Sequence, residues 1–181
     1  MRSILLATVI LTMTAMAPHA DLSDRTYDTW VTDRGEISLP RDFRKDFAHL
    51  GSWFVPEGDA SGFHDVYTQP EAVAHYRKTG TFPDGAVIVK ELRANSGKPM
   101  TTGHPEWAND TLKQWFVMVK DGKNRFPGNA SWGDGWGWAL FQPGKKGNQS
   151  TNYKSDCLGC HIPAKATDWI YVEGYPTLSG N

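Results

Sequence analysis

The chain has 181 residues with 19 basic and 20 acidic side chains, a formal net charge of −1, so it lacks the basic surplus of a nucleic-acid-binding protein. Its length suits one ordinary domain with a real core. Eight Trp, six Tyr and eight Phe stand beside 18 Gly, which fits a sheet-rich fold around a large flat ligand and equally an ordinary β core.

Met1-Arg2-Ser3 precedes an uncharged apolar run from Ile4 to Met16, then Ala17-Pro18-His19-Ala20 and a polar stretch. A basic start, a short apolar run and small residues describe a secretory signal peptide. A transmembrane anchor is the competing reading, but the run is shorter than the roughly 20 apolar residues that a spanning helix requires. The expectation is a signal over 1–20 and a single domain over 21–181, exported without a membrane anchor and, in a bacterium, periplasmic.

Within that domain the first clear element is a helix at Pro70–Thr79. Thr68 or Gln69 caps it, Pro70 and Glu71 open it, Arg77 and Lys78 close it and Gly80 ends it, with Val73, Ala74 and Tyr76 as its apolar side. A turn at Pro83-Asp84-Gly85 leads into the β-branched run 86–92, of strand length. Residues 95–109 are polar with Gly and Pro and read as loop. A second strand is expected at 114–120, with Asp121-Gly122 as a hairpin turn into a short strand at 124–126. Another strand lies at 136–142, and 144–156 reads as loop. Short strands with successive turns imply an α+β fold, predominantly an antiparallel β sheet with a few helices. It finishes in the C-terminal segment Cys157-Leu158-Gly159-Cys160-His161.

These are the only two cysteines. A Cys pair spaced by two residues and followed at once by His is the covalent haem attachment signature. Each thiol adds across a haem vinyl group, and the adjacent imidazole reaches the iron from one face. A zinc site needs four N or S ligands, and there is no second Cys pair. A thioredoxin-like redox pair needs a βαβ setting, which the Gly- and Trp-rich sequence upstream does not offer. The expectation is therefore one covalent haem c, its iron held by His161. No Met follows His161, and Met100 and Met118 sit in no recognisable ligand loop. The sixth iron position is accordingly expected to be open, for ligand binding or catalysis rather than electron carriage alone. A four-helix cytochrome c′ also places its motif late, but it needs long amphipathic helices that this chain lacks.

Over about 35–178 the chain resembles cytochrome P-460 and the related cytochromes c′-β. GEISLPRDFR, PEAVAHYRKTGTFPDGAVIVKEL, CLGCH and ATDWIYVEGYP carry the resemblance. It implies a small, mostly antiparallel β fold, a homodimer and a five-coordinate haem c. It also implies oxidation of hydroxylamine, alone or with nitric oxide, with electrons passed to another cytochrome. In cytochrome P-460 the lysine of the VKEL segment is bonded to the haem macrocycle, and the matching residue is Lys90. On a strand, Ala86, Ile88, Lys90 and Leu92 share one face and Glu91 points away. A lysine there is either consumed by such a bond or snorkels to water; the resemblance favours the bond.

Hydroxylamine-oxidising members carry a distal glutamate three residues before the valine of a VKD strand end. Counting back from Val119 gives Phe116, or Trp115 if the alignment slips by one. Neither accepts a proton, and an aromatic cap is typical of the cytochromes c′-β, which lack the lysine bond and bind nitric oxide in a hydrophobic pocket. Where family members carry an arginine before the first helix, this chain has His64, either a proton acceptor at neutral pH or an ordinary histidine with one hydrogen bond. His75 reads as structural, and Trp136 and Trp138 as packing on the haem, at a dimer interface or in the core. Two functions follow as expectations. One is a periplasmic oxidoreductase for hydroxylamine or nitric oxide with Lys90 bonded to haem; the other is a nitric oxide binding protein for sensing, storage or detoxification.

Overall fold

A six-stranded antiparallel sheet in the order β1-β2-β3-β4-β6-β5 frames the protein in a computed structural model that describes residues 21–179. The segment 1–20, read above as an export signal, lies outside the described residues. Helices α1 (Leu22–Trp30) and α2 (Phe43–Asp46) precede β1 (Ala48–Val55) and β2 (Gly62–Thr68). Helix α3 (Pro70–Thr79) leads to the long hairpin of β3 (Val87–Gly97) and β4 (Glu106–Lys120), followed by β5 (Trp132–Gly133) and β6 (Trp136–Phe141). Helices α4 (Tyr153–Asp156) and α5 (Leu158–His161) and three short 3₁₀ segments follow among the described residues. Among the described residues no helix is long and apolar enough to cross a membrane.

The centre of the sheet is covered on both faces, so β3 and β4 read as near-continuous apolar runs. Val87 and Val89 pair with Val119 and Val117, and pack on one face with Ile37 and Phe43 from the N-terminal segment. Ile88 and its partner Met118 pack on the other face with Trp169, Ile170 and Tyr175 from the C-terminal segment. Lys90 and its partner Phe116 belong to this second face by the two-residue period of the strand.

Helix α3 has the expected bounds, and Gly80 ends it in a left-handed conformation, φ 73°, with its N–H bonded to the Tyr76 carbonyl. Gln69 occupies the cap position, but its side chain does not cap the helix. Its amide instead donates to Thr26 Oγ1 and the Gly85 carbonyl and accepts from the Val87 N–H, tying α1 to the start of β3. Ala74 faces solvent; Ala72 and Val73 are the buried pair.

Three expectations need correction. The polar stretch 95–109 is not wholly loop, because the β3–β4 ladder continues through Asn95↔Ala108 and Ser96↔Trp107 to Gly97↔Glu106. There is no strand at 124–126: the Asp121 carboxylate accepts the N–H groups of Lys123 and Arg125, and Asn124 is left-handed at φ 51°. That closes the segment into a turn instead of pairing it. The loop expected at 144–156 contains α4, whose Asn152 cap accepts from the Lys154 N–H. Helix α1 and strands β1 and β2 are additions. The buried positions of β2 are Gly62, His64, Val66 and Thr68, an inward set too polar to register as apolar alternation.

Asp84 joins α1 to the turn after β4. Arg125 donates to both its oxygens at 3.0 and 2.6 Å, Ser23 Oγ at 2.9 Å and the Gly122 N–H at 2.8 Å. Burial alone would raise this carboxyl, but the donors, Arg125 foremost, hold it at about 2. A depressed folded value stabilises above the unfolded value near 3.8 and is lost as pH falls through about 2. Between pH 4 and 2 the native protein is expected to lose about 1–2 kcal/mol at this site. Urea unfolding of Asp84→Asn should be flatter in pH over that window; an identical slope would refute the assignment.

Candidate functional site

A cavity of about 280 Å³ lies on the second face of the sheet, beneath the C-terminal segment. Trp53, His64 and Val66 reach it from β1 and β2, Ile88 and Lys90 from β3, Phe116 and Met118 from β4, and Trp138 from β6. Cys157, Cys160, His161, Ile170, Tyr171 and Tyr175 line it from the other side. His64, Lys90, Phe116, Cys157, Cys160 and His161, the site candidates of the sequence, are therefore all on one wall or the other. Trp115 is not: it lies on the opposite face, where its Nε1 donates to Glu91 at 3.1 Å. His75 is exposed on α3 and Met100 is 46% exposed, whereas Met118 is in the wall. Trp136 is buried in the core and Trp138 meets the His161 ring edge to face at 5.0 Å.

The turn before the motif is set by Asp156, whose carboxylate accepts the N–H groups of Thr151 at 2.8 Å and Asn152 at 3.2 Å and the Ser150 hydroxyl at 3.0 Å. Cys157 follows, with its N–H bonded to the Tyr153 carbonyl and its thiol pushed up by burial. The two cysteines form no disulfide with each other.

Two histidines share one pattern in this cavity. His161 Nδ1 lies 2.7 Å from the Trp169 carbonyl, and since a carbonyl only accepts, Nδ1 carries the proton. Burial holds this imidazole below its usual value and so neutral, which leaves Nε2 a lone-pair donor of the kind that binds iron. His64 Nε2 is 2.7 Å from the Ala60 carbonyl and donates to it. Its Nδ1 is buried without a hydrogen-bond partner among the described residues. Burial first, then the Lys90 charge, push His64 down to about 4. At neutral pH it therefore presents an unprotonated acceptor, held by stacking on Trp53 at 5.3 Å and 18°.

Lys90 Nζ sits 4.3 Å from the centre of the Phe116 ring. Burial lowers its pKa to about 8, and among the described residues it forms no ion pair with a carboxylate. One residue on, Glu91 accepts from Arg44, from Arg93 at 2.6 Å and from Trp115 on the far face. Those bonds pin β3 and β4 at the pairs that present Lys90 and Phe116.

A neutral imidazole of fixed tautomer, two cysteines outside any disulfide, aromatic walls and a His64 Nδ1 unpartnered among the described residues suit a haem and its iron. The profile of the cytochrome P460 family matches residues 40–172. The chain belongs to the cytochrome P460 family. It is thus a haem-binding cytochrome, with iron, and no curated protein sequence matches it. The match in this cytochrome P460 chain runs from the residues before α2 to the start of the 3₁₀ segment Val172–Gly174. Trp53, Met118 and Tyr175 are cavity residues that sequence reasoning did not assign. Trp53 carried no signal because β1 was itself not legible, while Met118 was legible as the residue two after Phe116 on the same strand face.

Proposed function

We propose that this cytochrome holds one haem c through thioether bonds at Cys157 and Cys160, with His161 as the ligand on one side of the iron. The iron would take hydroxylamine or nitric oxide as a ligand, and Lys90 would be bonded to the macrocycle. The observation that carries this reading is Lys90 itself, an amine of lowered pKa, without a carboxylate partner, in one cavity with Cys157, Cys160 and His161. When bound, the haem supplies an iron that takes a nitrogen ligand and accepts its electrons, which pass to an electron-accepting cytochrome. Forming the bond replaces an N–H of Lys90 and a ring C–H by N–C, a two-electron oxidation that belongs to maturation in the presence of an oxidant such as peroxide.

In this reading His64 Nδ1 accepts a hydrogen bond or proton from the N–H or O–H of the ligand. Loss of the Lys90 charge on bonding removes one of the causes that depress His64 and makes it a better base. Phe116 and Met118 keep water from the pocket. An exported, periplasmic homodimer completes the proposal. The second reading, a cytochrome c′-β-like protein that binds nitric oxide without turnover, is favoured by one observation, the aromatic Phe116 in the cavity where a carboxylate base would stand.

Tryptic digestion and mass spectrometry separate the two. The Lys90 peptide is expected to remain joined to the haem peptide containing Cys157 and Cys160. Recovery of a free, unmodified Lys90 peptide would exclude the lysine-bonded enzyme and leave the nitric oxide binding protein.

A further inference from the structure

Two consecutive non-glycine residues, Asp168 and Trp169, are left-handed, at φ 59° and 68°. A bulky side chain rarely adopts that backbone, so something must hold it there. Here it follows the 3₁₀ segment Ile162–Thr167 and delivers the Trp169 carbonyl to His161 Nδ1 at 2.7 Å. What holds it is the end of the sheet. Lys120, the last residue of β4, and Trp136, the first of β6, are cross-strand partners. Lys120 Nζ donates to both Asp168 carboxylate oxygens at 2.7 Å, in a partly buried pair. Trp136 Nε1 donates to the Asp168 carbonyl at 3.0 Å, and Trp136 is fully buried. Lys120 also lies over the Trp136 ring, 4.8 Å from its centre. A rigid cross-strand pair thus grips the first of the two strained residues, and the second carries the carbonyl.

We propose that Asp168 is a positioning residue for the iron ligand: clamped by Lys120 and Trp136, it fixes the Trp169 carbonyl that orients the His161 ring and strengthens its donation to iron. The proposal rests on His161 being that ligand. A hydrogen bond from the ring N–H to a carbonyl makes the other nitrogen more basic. Greater donation favours ferric iron and lowers the reduction potential. Loosening the clamp has the opposite effect.

The test reads the iron–histidine stretching band by resonance Raman in the ferrous haem-loaded protein, with the midpoint potential beside it. Asp168→Gly removes the carboxylate while tolerating the left-handed backbone, and Lys120→Met releases it without altering that backbone. Both are expected to lower the band frequency and raise the potential, while Asp168→Asn, which still accepts from Lys120, stays near the native values. If Asp168→Gly fails to retain haem, Lys120→Met carries the comparison alone. An unchanged band and potential in the released variants, or a shift in Asp168→Asn as large as in Asp168→Gly, overturns the clamp. His161→Met is the control: loss of the band keeps the ligand assignment, whereas persistence of the band refutes the assignment and the clamp together.

Discussion

Replacing Phe116 by glutamate is expected to raise the rate of hydroxylamine oxidation by about 100-fold, the lower end of what a positioned base contributes. The side chain at this position enters the cavity because the strand register pairs it with Lys90 and turns Trp115 to the other face. A carboxylate there meets Lys90 first. If Lys90 is a free ammonium, the pair is an ion pair and the carboxylate is held in its ionised, weakly basic form. If the nitrogen is bonded to the macrocycle, its charge is gone, burial raises the carboxyl, and it becomes a base matched to neutral pH. Steady-state oxidation with an artificial electron acceptor, compared between Phe116→Glu and Phe116→Gln, separates a base from a merely polar side chain. Equal rates for the two variants and the native protein would remove Phe116 from the base position. The substitution should also cost stability, by about 1–3 kcal/mol, because a carboxylate replaces an apolar ring.

The hairpin at the centre of the sheet was legible because its residues obey two patterns at once. Residues 87–92 are β-branched and apolar enough to be a covered strand, and the alternation within them already separated Ile88 and Lys90 from Val89 and Glu91. The C-terminal motif was legible from spacing alone. What failed did so for local reasons. The inward positions of β2 are filled by Gly62, His64 and Thr68 as well as Val66, so the face that builds the cavity wall carries almost no apolar signature. The outer ladder of the β3–β4 hairpin pairs Asn95 and Ser96 with Ala108 and Trp107, where little is buried on either side. The region 124–126 was misread because the Asp121 carboxylate takes the N–H groups that a strand would offer.

His64 and His161 show a second limit. Nothing in the sequence distinguishes a histidine with one satisfied nitrogen from one with two. Only the fold sets the His161 N–H against the Trp169 carbonyl and that of His64 against the Ala60 carbonyl, and leaves the remaining nitrogen of His64 buried and unpartnered. The left-handed pair Asp168-Trp169 is equally silent in sequence, since neither residue is a glycine or asparagine that would announce such a turn.

Acidified acetone is expected to remove no haem from the native protein or from Lys90→Met, and all of it from the triple variant Cys157→Ala, Cys160→Ala, Lys90→Met reconstituted with haem. Acid protonates His161, which releases an iron held by the imidazole alone, so only covalent bonds to the ring survive the treatment. Two such sources are proposed, the thioethers and the Lys90 bond, and the variants remove them in turn. In Lys90→Met the thioethers suffice. In Cys157→Ala with Cys160→Ala, whatever haem stays with the chain reports the Lys90 bond. The competing chemistry for the cysteines is a redox disulfide, and it predicts the reverse: haem leaves Lys90→Met completely, and the released chain carries no thiol that a maleimide can label until it is reduced. Cys160 is exposed and Cys157 half-buried, so in a chain freed of haem both would label without reduction unless they formed a disulfide. Quantitative extraction from Lys90→Met would therefore remove the haem c assignment at Cys157 and Cys160, whatever the family membership implies about haem itself.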